Sequence, residues 1–208
     1  MLVTGAGSGV GEEVAHLSAE YGYSVACVDA NFNAADRVAR ELDGSAISLG
    51  CDVRDPQAVR RMLSNALAEL GHLDVVVNAA STANTTAFEE LTLDQWDALF
   101  ATNLRATFLV SRAVFPLMKE AGSGHLVNIA PLGAPDGVGA AGYHASVWAL
   151  LGFSRGLDAE ARSHGVRVTA VIPATMRTNL LDRFTDSVLT IPDQETSGAL
   201  FAREILIA

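Results

Sequence analysis

Cysteine is nearly absent from this chain. Of its 208 residues only Cys27 and Cys51 carry thiols, each inside an apolar stretch. Two unpatterned cysteines exclude a disulfide framework and a cysteine-rich zinc site, and fit reduced, buried thiols; no metal is expected. Basic residues are scarce as well. Fourteen Lys and Arg stand against 24 Asp and Glu, giving a net charge of −10 and an isoelectric point near 4.8. A surface of that sign repels phosphates, so neither nucleic acid nor an anionic membrane is an expected partner. No apolar run reaches the ~18 residues of a membrane span. The start, MLVTGAG, lacks a basic segment followed by an apolar one. The expectation is a cytoplasmic protein. Linkers, internal repeats, low-complexity tracts and hairpin signals are missing too. With 50% hydrophobic residues and a mean hydropathy of +0.26, the chain can bury one sizeable core, and a single domain over residues 1–208 is expected.

What remains is an alternation of two patterns. Short β-branched runs at residues 2–4, 24–29, 46–51, 73–78, 125–129 and 166–172 read as strands, the first unusually short. Between them lie amphipathic stretches such as Val59, Met62, Leu63, Ala66, Leu67 and Leu70, whose three-and-four spacing makes one apolar helical face. Asp55 before Pro56, Thr92 with Gln95, and Thr190 with Asp193 have the spacing of helix starts. Strand, helix, strand without hairpins predicts an α/β fold: a doubly wound parallel sheet covered by helices on both faces, a Rossmann-like three-layer sandwich. After Pro173 the sequence predicts two helices and no further strand, and SGALFAREILIA reads as a helix.

The segment VTGAGSGVGEEVA follows the first strand and opens the first helix. Glycines at 5, 9 and 11 permit a tight turn that brings backbone N–H groups and a helix N-terminus against a pyrophosphate, where a Cβ would obstruct. The pattern G-x-G-x-x-G is not met from Gly5, because Val10 stands at its last position. Asp29 ends the second strand where such a fold presents an acid to the adenosine ribose, and its charge opposes a 2′-phosphate. The first arginine after it is Arg37. NAD is therefore the expected cofactor, in preference to NADP.

The spacing Thr4-Gly5, Gly9 and Gly11 resembles the T-G-x-x-x-G-x-G turn of the short-chain dehydrogenase/reductase family. Further segments carry the resemblance: VVVNAAS, similar to the fourth-strand N-N-A-G; ATNLRATFLV, similar to the helix of the active-site asparagine; GHLVNIAP; YHASVWALLGFSRGLDAEA; and VTAVIPATMRTNL, similar to P-G-x-x-x-T with Ala174 for the glycine. The resemblance implies a nicotinamide cofactor held by Thr4, Gly5, Gly7, Ser8, Gly9, Val10, Gly11, Asp29, Asp52, Val53, Asn78, Ala79, Pro173 and Thr178. Asp52 corresponds to an acid at the adenine amino group. It further implies a small-molecule substrate, and a homodimer or homotetramer associating through the helices of Asn103 and Tyr143.

In that family a tyrosine exchanges a proton with the substrate oxygen, a serine orients that oxygen, a lysine holds the nicotinamide ribose and an asparagine supports a water relay. Tyr143 and Asn103 match. Val147 stands at the lysine position, and the serine position falls on Ala130 or Pro131; none of these side chains can donate a hydrogen bond. Oxidising an alcohol needs a base, whereas an unassisted tyrosine, pKa ~10, holds its proton at neutral pH and can act as an acid. Reduction of a carbonyl is the easier direction. Ser146 shares the helical face of Tyr143, His144 points about 100° away, and Ser81, Thr82 and Asp136 are candidate replacements for the lost donor. Three readings stay open: an NAD(H) oxidoreductase with altered catalysis, a silent nucleotide-binding or interaction protein, and a non-redox enzyme on the same fold. Trp148, Leu150, Leu151 and Phe153 suit a core or a subunit contact, while Leu180, Leu181, Phe184, Val188 and Leu189 suit either substrate contact or an amphipathic helix.

Overall fold

A computed structural model describes residues 1–42, 44, 46–84, 86–130, 141–173 and 188–191. Its strands are β1 (Leu2–Thr4), β2 (Val25–Asp29), β3 (Ala46–Gly50), β4 (Val75–Asn78), β5 (Gly124–Ile129), β6 (Val166–Pro173) and β7 (Val188–Ile191). All pair in parallel, in the order β3-β2-β1-β4-β5-β6-β7. The order reverses between β1 and β4, which opens a crevice at the carboxyl ends of those strands. β1 needs only three residues because it is central: Val3 faces Cys27 of β2 on one side and Val77 of β4 on the other.

The helices are α1 (Gly9–Glu20), α2 (Phe32–Glu41), α3 (Pro56–Leu70), α4 (Leu93–Phe100), α5 (Ala106–Ala121) and α6 (Ala141–Ala161). Their starts follow the sequence signals. Asp55 accepts from the Gln57 N–H ahead of Pro56, Asn31 accepts from Ala34 N–H, and Thr92 with Gln95 forms a reciprocal capping box. Alternation along the strands sorts the core into two layers. Val3, Cys27, Val77, Val127 and Val171 pack with Val14 of α1 and Val38 of α2, while Leu2, Ala26, Val76, Leu126 and Val168 pack with Met62 of α3 and Val110 of α5. Both thiols are free and buried, and burial pushes Cys27 up to about 12 and Cys51 up to about 11. Among the described residues, no helix is long and apolar enough to cross a membrane.

One expectation is overturned. The sheet does not stop at β6: residues 188–191 form β7, with Thr190 opposite Ile172. Thr190 is therefore a ladder residue and not the cap of a helix. The run Val-Leu-Thr-Ile has strand composition, but it is four residues long and gains its partner only from β6, far back in the chain. The segment from 197 to 208 lies outside the described residues.

Candidate nucleotide-binding and active site

A cleft of about 590 Å³ occupies the switch point, lined by the turn after β1, the end of β2, the residues after β3 and β4, and the end of β5. Gly5, Ser8, Gly9, Val10, Gly11, Asp29, Asp52, Val53 and Ala79, all expected to hold a cofactor, line it together. The glycines are required by contact as much as by conformation. Gly5 has φ +68°, and a Cβ there would sit 2.8 Å from the backbone of Ala80. A Cβ on Gly11 would collide with the Gly5 carbonyl. Gly9, φ +55°, is different: its Cβ would meet nothing within 4 Å. The turn is closed on itself and open at the helix N-terminus, where the Ser8 side chain bonds no first-turn N–H. Those amides and the positive end of α1 fit a phosphate.

The acid of β2 is fixed to the same turn. Asp29 accepts from Gly7 N–H at 3.0 Å with one oxygen and from Asn31 N–H at 2.8 Å with the other. Two of its four lone-pair sites are left for a vicinal diol. Asp52 is held by Arg54, which donates from its backbone N–H (3.0 Å), Nε (2.9 Å) and Nη2 (2.8 Å). That guanidinium keeps the Asp52 carboxyl below the usual carboxylate range.

Three of the expected residues act behind the lining. Thr4 Oγ1 accepts from Ala79 N–H (3.2 Å) and Ala80 N–H (3.4 Å), tying β1 to the exit of β4. Gly7 holds Asp29. Asn78 is buried and donates to Asn128 Oδ1 (2.9 Å), whose own amide donates to Ser154 of α6 (2.9 Å). Pro173 ends β6. Thr178, Pro131, Asp136, Ala174, Leu180, Leu181 and Phe184 lie outside the described residues, and Val188 and Leu189 belong to β7.

At the chemistry end the structure is apolar. Ala130, Tyr143, Val147, Leu150, Leu151 and Ala170 form one buried cluster, with Trp148 and Phe153 packed against it. Tyr143 and Val147 have no exposed surface. Ala130 reaches the cleft, whereas Tyr143 does not. Asn103 sits in a π-helical turn, Ala101–Arg105, that joins α4 to α5, a local irregularity often found at functional positions. Its side chain accepts from Thr82 N–H (2.8 Å) and donates to Thr82 O (3.0 Å) and Ser146 Oγ (2.9 Å), so it clamps the loop after β4 to α6. Ser146 in turn donates to Tyr143 O at 2.7 Å. Ser81 and Thr82 do line the cleft, and the His144 ring lies tilted at 57° to that of Tyr143, with centroids 5.8 Å apart. The chain's single lysine, Lys119, is in the last turn of α5, beside the start of β5 and at the opposite end of the sheet from the cleft. Arg54, Ala30, Thr102 and Ile129 also line the cleft and were not foreseen; for Arg54 the signal available was its two-residue spacing from Asp52.

A doubly wound parallel sheet with a glycine-built cleft at its switch point defines a nucleotide-binding α/β protein. Comparison with known proteins narrows this. The family described as short chain dehydrogenase matches residues 1–188. D-threitol dehydrogenase of Mycolicibacterium smegmatis is 38% identical over 183 residues, covering 86% of this chain and 70% of that protein. The short-chain reductase protein NovJ of Streptomyces niveus is 33% identical over 188 residues, 89% of this chain and 72% of its own. Among solved structures, a metagenomic short-chain oxidoreductase in complex with NADP superposes with a TM-score of 0.81 at 30% identity, over 92% of this chain and 95% of that one. The chain belongs to the short-chain dehydrogenase family of oxidoreductases.

Proposed function

We propose that this protein is an NAD(H)-dependent oxidoreductase that reduces the carbonyl of a small molecule, with Tyr143 as proton donor. The observation that carries the reading is the cleft itself: a closed glycine turn, an open helix N-terminus and the Asp29 carboxylate, bound together through the Gly7 peptide. Relatives named as a dehydrogenase and a reductase support redox chemistry. A bound nicotinamide would supply the hydride. The residues of the chain bind and orient: the first turn of α1 takes the pyrophosphate, Asp29 the adenosine ribose, and Asp52 with Val53 the adenine. Asn103 positions the loop carrying Ser81 and Thr82, whose hydroxyls are available to the substrate oxygen. Ala130 and Val147, packed with Tyr143, bring no cation that would favour the tyrosinate, so the protonated phenol serves as the acid and the favoured direction is reduction.

The complete burial of Tyr143 in an apolar cluster favours a second reading, a protein that binds the nucleotide without turning it over. One assay separates them. NADH consumption over a panel of aldehydes and ketones is expected for the parent, and its loss in Tyr143→Phe. Saturable NADH binding with no consumption over the whole panel would replace the first reading by the second. For assembly, the apolar groove of Phe100 (α4), Leu104 (the π-helical turn), Phe108 (α5) and Phe153 (α6), with Phe108 exposed, supports a homodimer through these helices. A monomer in sedimentation equilibrium would overturn it.

A further inference from the structure

The cleft's preference between the two nicotinamide coenzymes has a second determinant, outside its lining. Arg37 of α2 reaches the phosphate-binding turn from behind. Its Nη2 donates to the Gly7 carbonyl at 3.2 Å and to Glu12 Oε2 at 2.8 Å; its Nη1 donates to Glu12 Oε1 at 2.8 Å and to Glu41 Oε1 at 3.1 Å. The two terminal nitrogens of a guanidinium carry four N–H groups, and these four partners take them all. Gly7 gives its own N–H to Asp29 Oδ2 at 3.0 Å. A single residue, Gly7, therefore separates Arg37 from the acid that faces the adenosine ribose.

We propose that Arg37 is a coenzyme-selectivity residue whose guanidinium is withheld from a ribose 2′-phosphate by Glu12 and Glu41. This rests on the nicotinamide-coenzyme reading above. A bidentate arginine–carboxylate pair is the strongest ordinary ion pair, and the same fork would suit a phosphate. Here its Nη1/Nη2 edge is on Glu12 and the second Nη1 donor is on Glu41. With Asp29, three acids surround one arginine, so the field at the ribose is negative and a dianionic group is repelled. His16 Nε2 lies 3.2 Å from Glu41 Oε2, and Glu12, His16 and Glu41 are close enough to resemble a metal-binding trio. The guanidinium already seated on both carboxylates gives the two acids a different role: they hold Arg37. Neutralising the two carboxylates without changing their shape frees the arginine, which swings past Gly7 toward the ribose edge.

The test is fluorescence titration of NADH and NADPH against the full chain, with thermal melts showing that each variant is folded. In Glu12→Gln/Glu41→Gln the ratio of the NADPH to the NADH dissociation constant is expected to fall at least tenfold relative to the parent. Adding Arg37→Gln is expected to abolish that gain. A ratio unchanged in the double variant overturns the proposal, as does a gain that persists in the triple variant, which would reflect the lost negative field alone. Failure of the parent to bind either coenzyme would overturn the coenzyme reading and this proposal together, and is distinguishable from an unchanged ratio because no titration would saturate.

Discussion

The two halves of the cleft are built on different principles. At the adenosine half, the acids and the threonine have polar anchors: Asp29 on Gly7 and Asn31, Asp52 on Arg54, Thr4 on Ala79 and Ala80. At the chemistry half, Tyr143 is buried in one apolar cluster with Ala130 and Val147. Polar groups at the first half are prealigned for a ligand, so binding there costs little reorganisation. The second half seats its tyrosine in a buried cluster of apolar side chains. Nucleotide recognition and the proposed catalysis thus rest on separable sets of contacts.

The sharpest way to break this comparison is at the turn. Gly11→Val puts a side chain into the Gly5 carbonyl, and NADH affinity is expected to fall ~100-fold or more, about 2.8 kcal/mol. Titration measures it, and retention of parental affinity would show that the turn does not contact the coenzyme. Removing the one reactive group of the other half is the complementary experiment. Tyr143→Phe is expected to lower the rate of carbonyl reduction ~10²-fold or more while the NADH dissociation constant stays within a factor of about two. A variant that loses both would place Tyr143 in the binding half.

Between these extremes lies the cost of restoring charge. Val147 is fully buried among apolar side chains, so Val147→Lys in the coenzyme-free protein is expected to destabilise by about 3 kcal/mol. In a chain of this length that lowers the melting temperature by about 6–12 °C. An unchanged melting temperature would mean that the site is already hydrated. A smaller effect comes from Asp158, which joins α6 to the sheet by accepting from Val168 N–H at 3.0 Å and Arg162 Nε at 2.7 Å. Asp158→Ala is expected to cost about 1–3 kcal/mol with coenzyme affinity retained, because the buried Val168 amide loses its acceptor. Smallest is the effect of acid. Arg37 holds the Glu12 carboxyl below its ordinary range, so the pair stabilises the fold at neutral pH and that contribution disappears as pH falls through the lowered value. The melting temperature of Arg37→Gln should therefore depend less steeply on pH in the acid range than that of the parent.

The legible parts of this molecule were those written locally. Strand period, the capping signals at Asp55 and Thr92, and the glycine turn specify themselves within a few residues, because backbone sterics and hydrogen bonds act at that range. The edge strand β7 was not legible, since its four residues acquire strand geometry only by pairing with β6. Arg37 shows the same limit within one side chain. Its bond to Glu41, one helical turn away, is readable from i, i+4 spacing, but its fork on Glu12 crosses 25 residues and depends on how α1 and α2 pack.

The sequence by itself determined the doubly wound parallel fold, the position of the nucleotide turn, and the replacement of donor-bearing side chains by alanine and valine next to a tyrosine. Each is a property of residue type at short spacing. Only the tertiary structure decided that Asp29 and Gly7 share a hydrogen bond, that Asn103 clamps Thr82 and Ser146 together, and that Ala130, Tyr143 and Val147 close into one buried cluster. Those facts are distances between residues remote in the chain, and they are set when the sheet brings the carboxyl ends of β1, β4 and β5 to one edge.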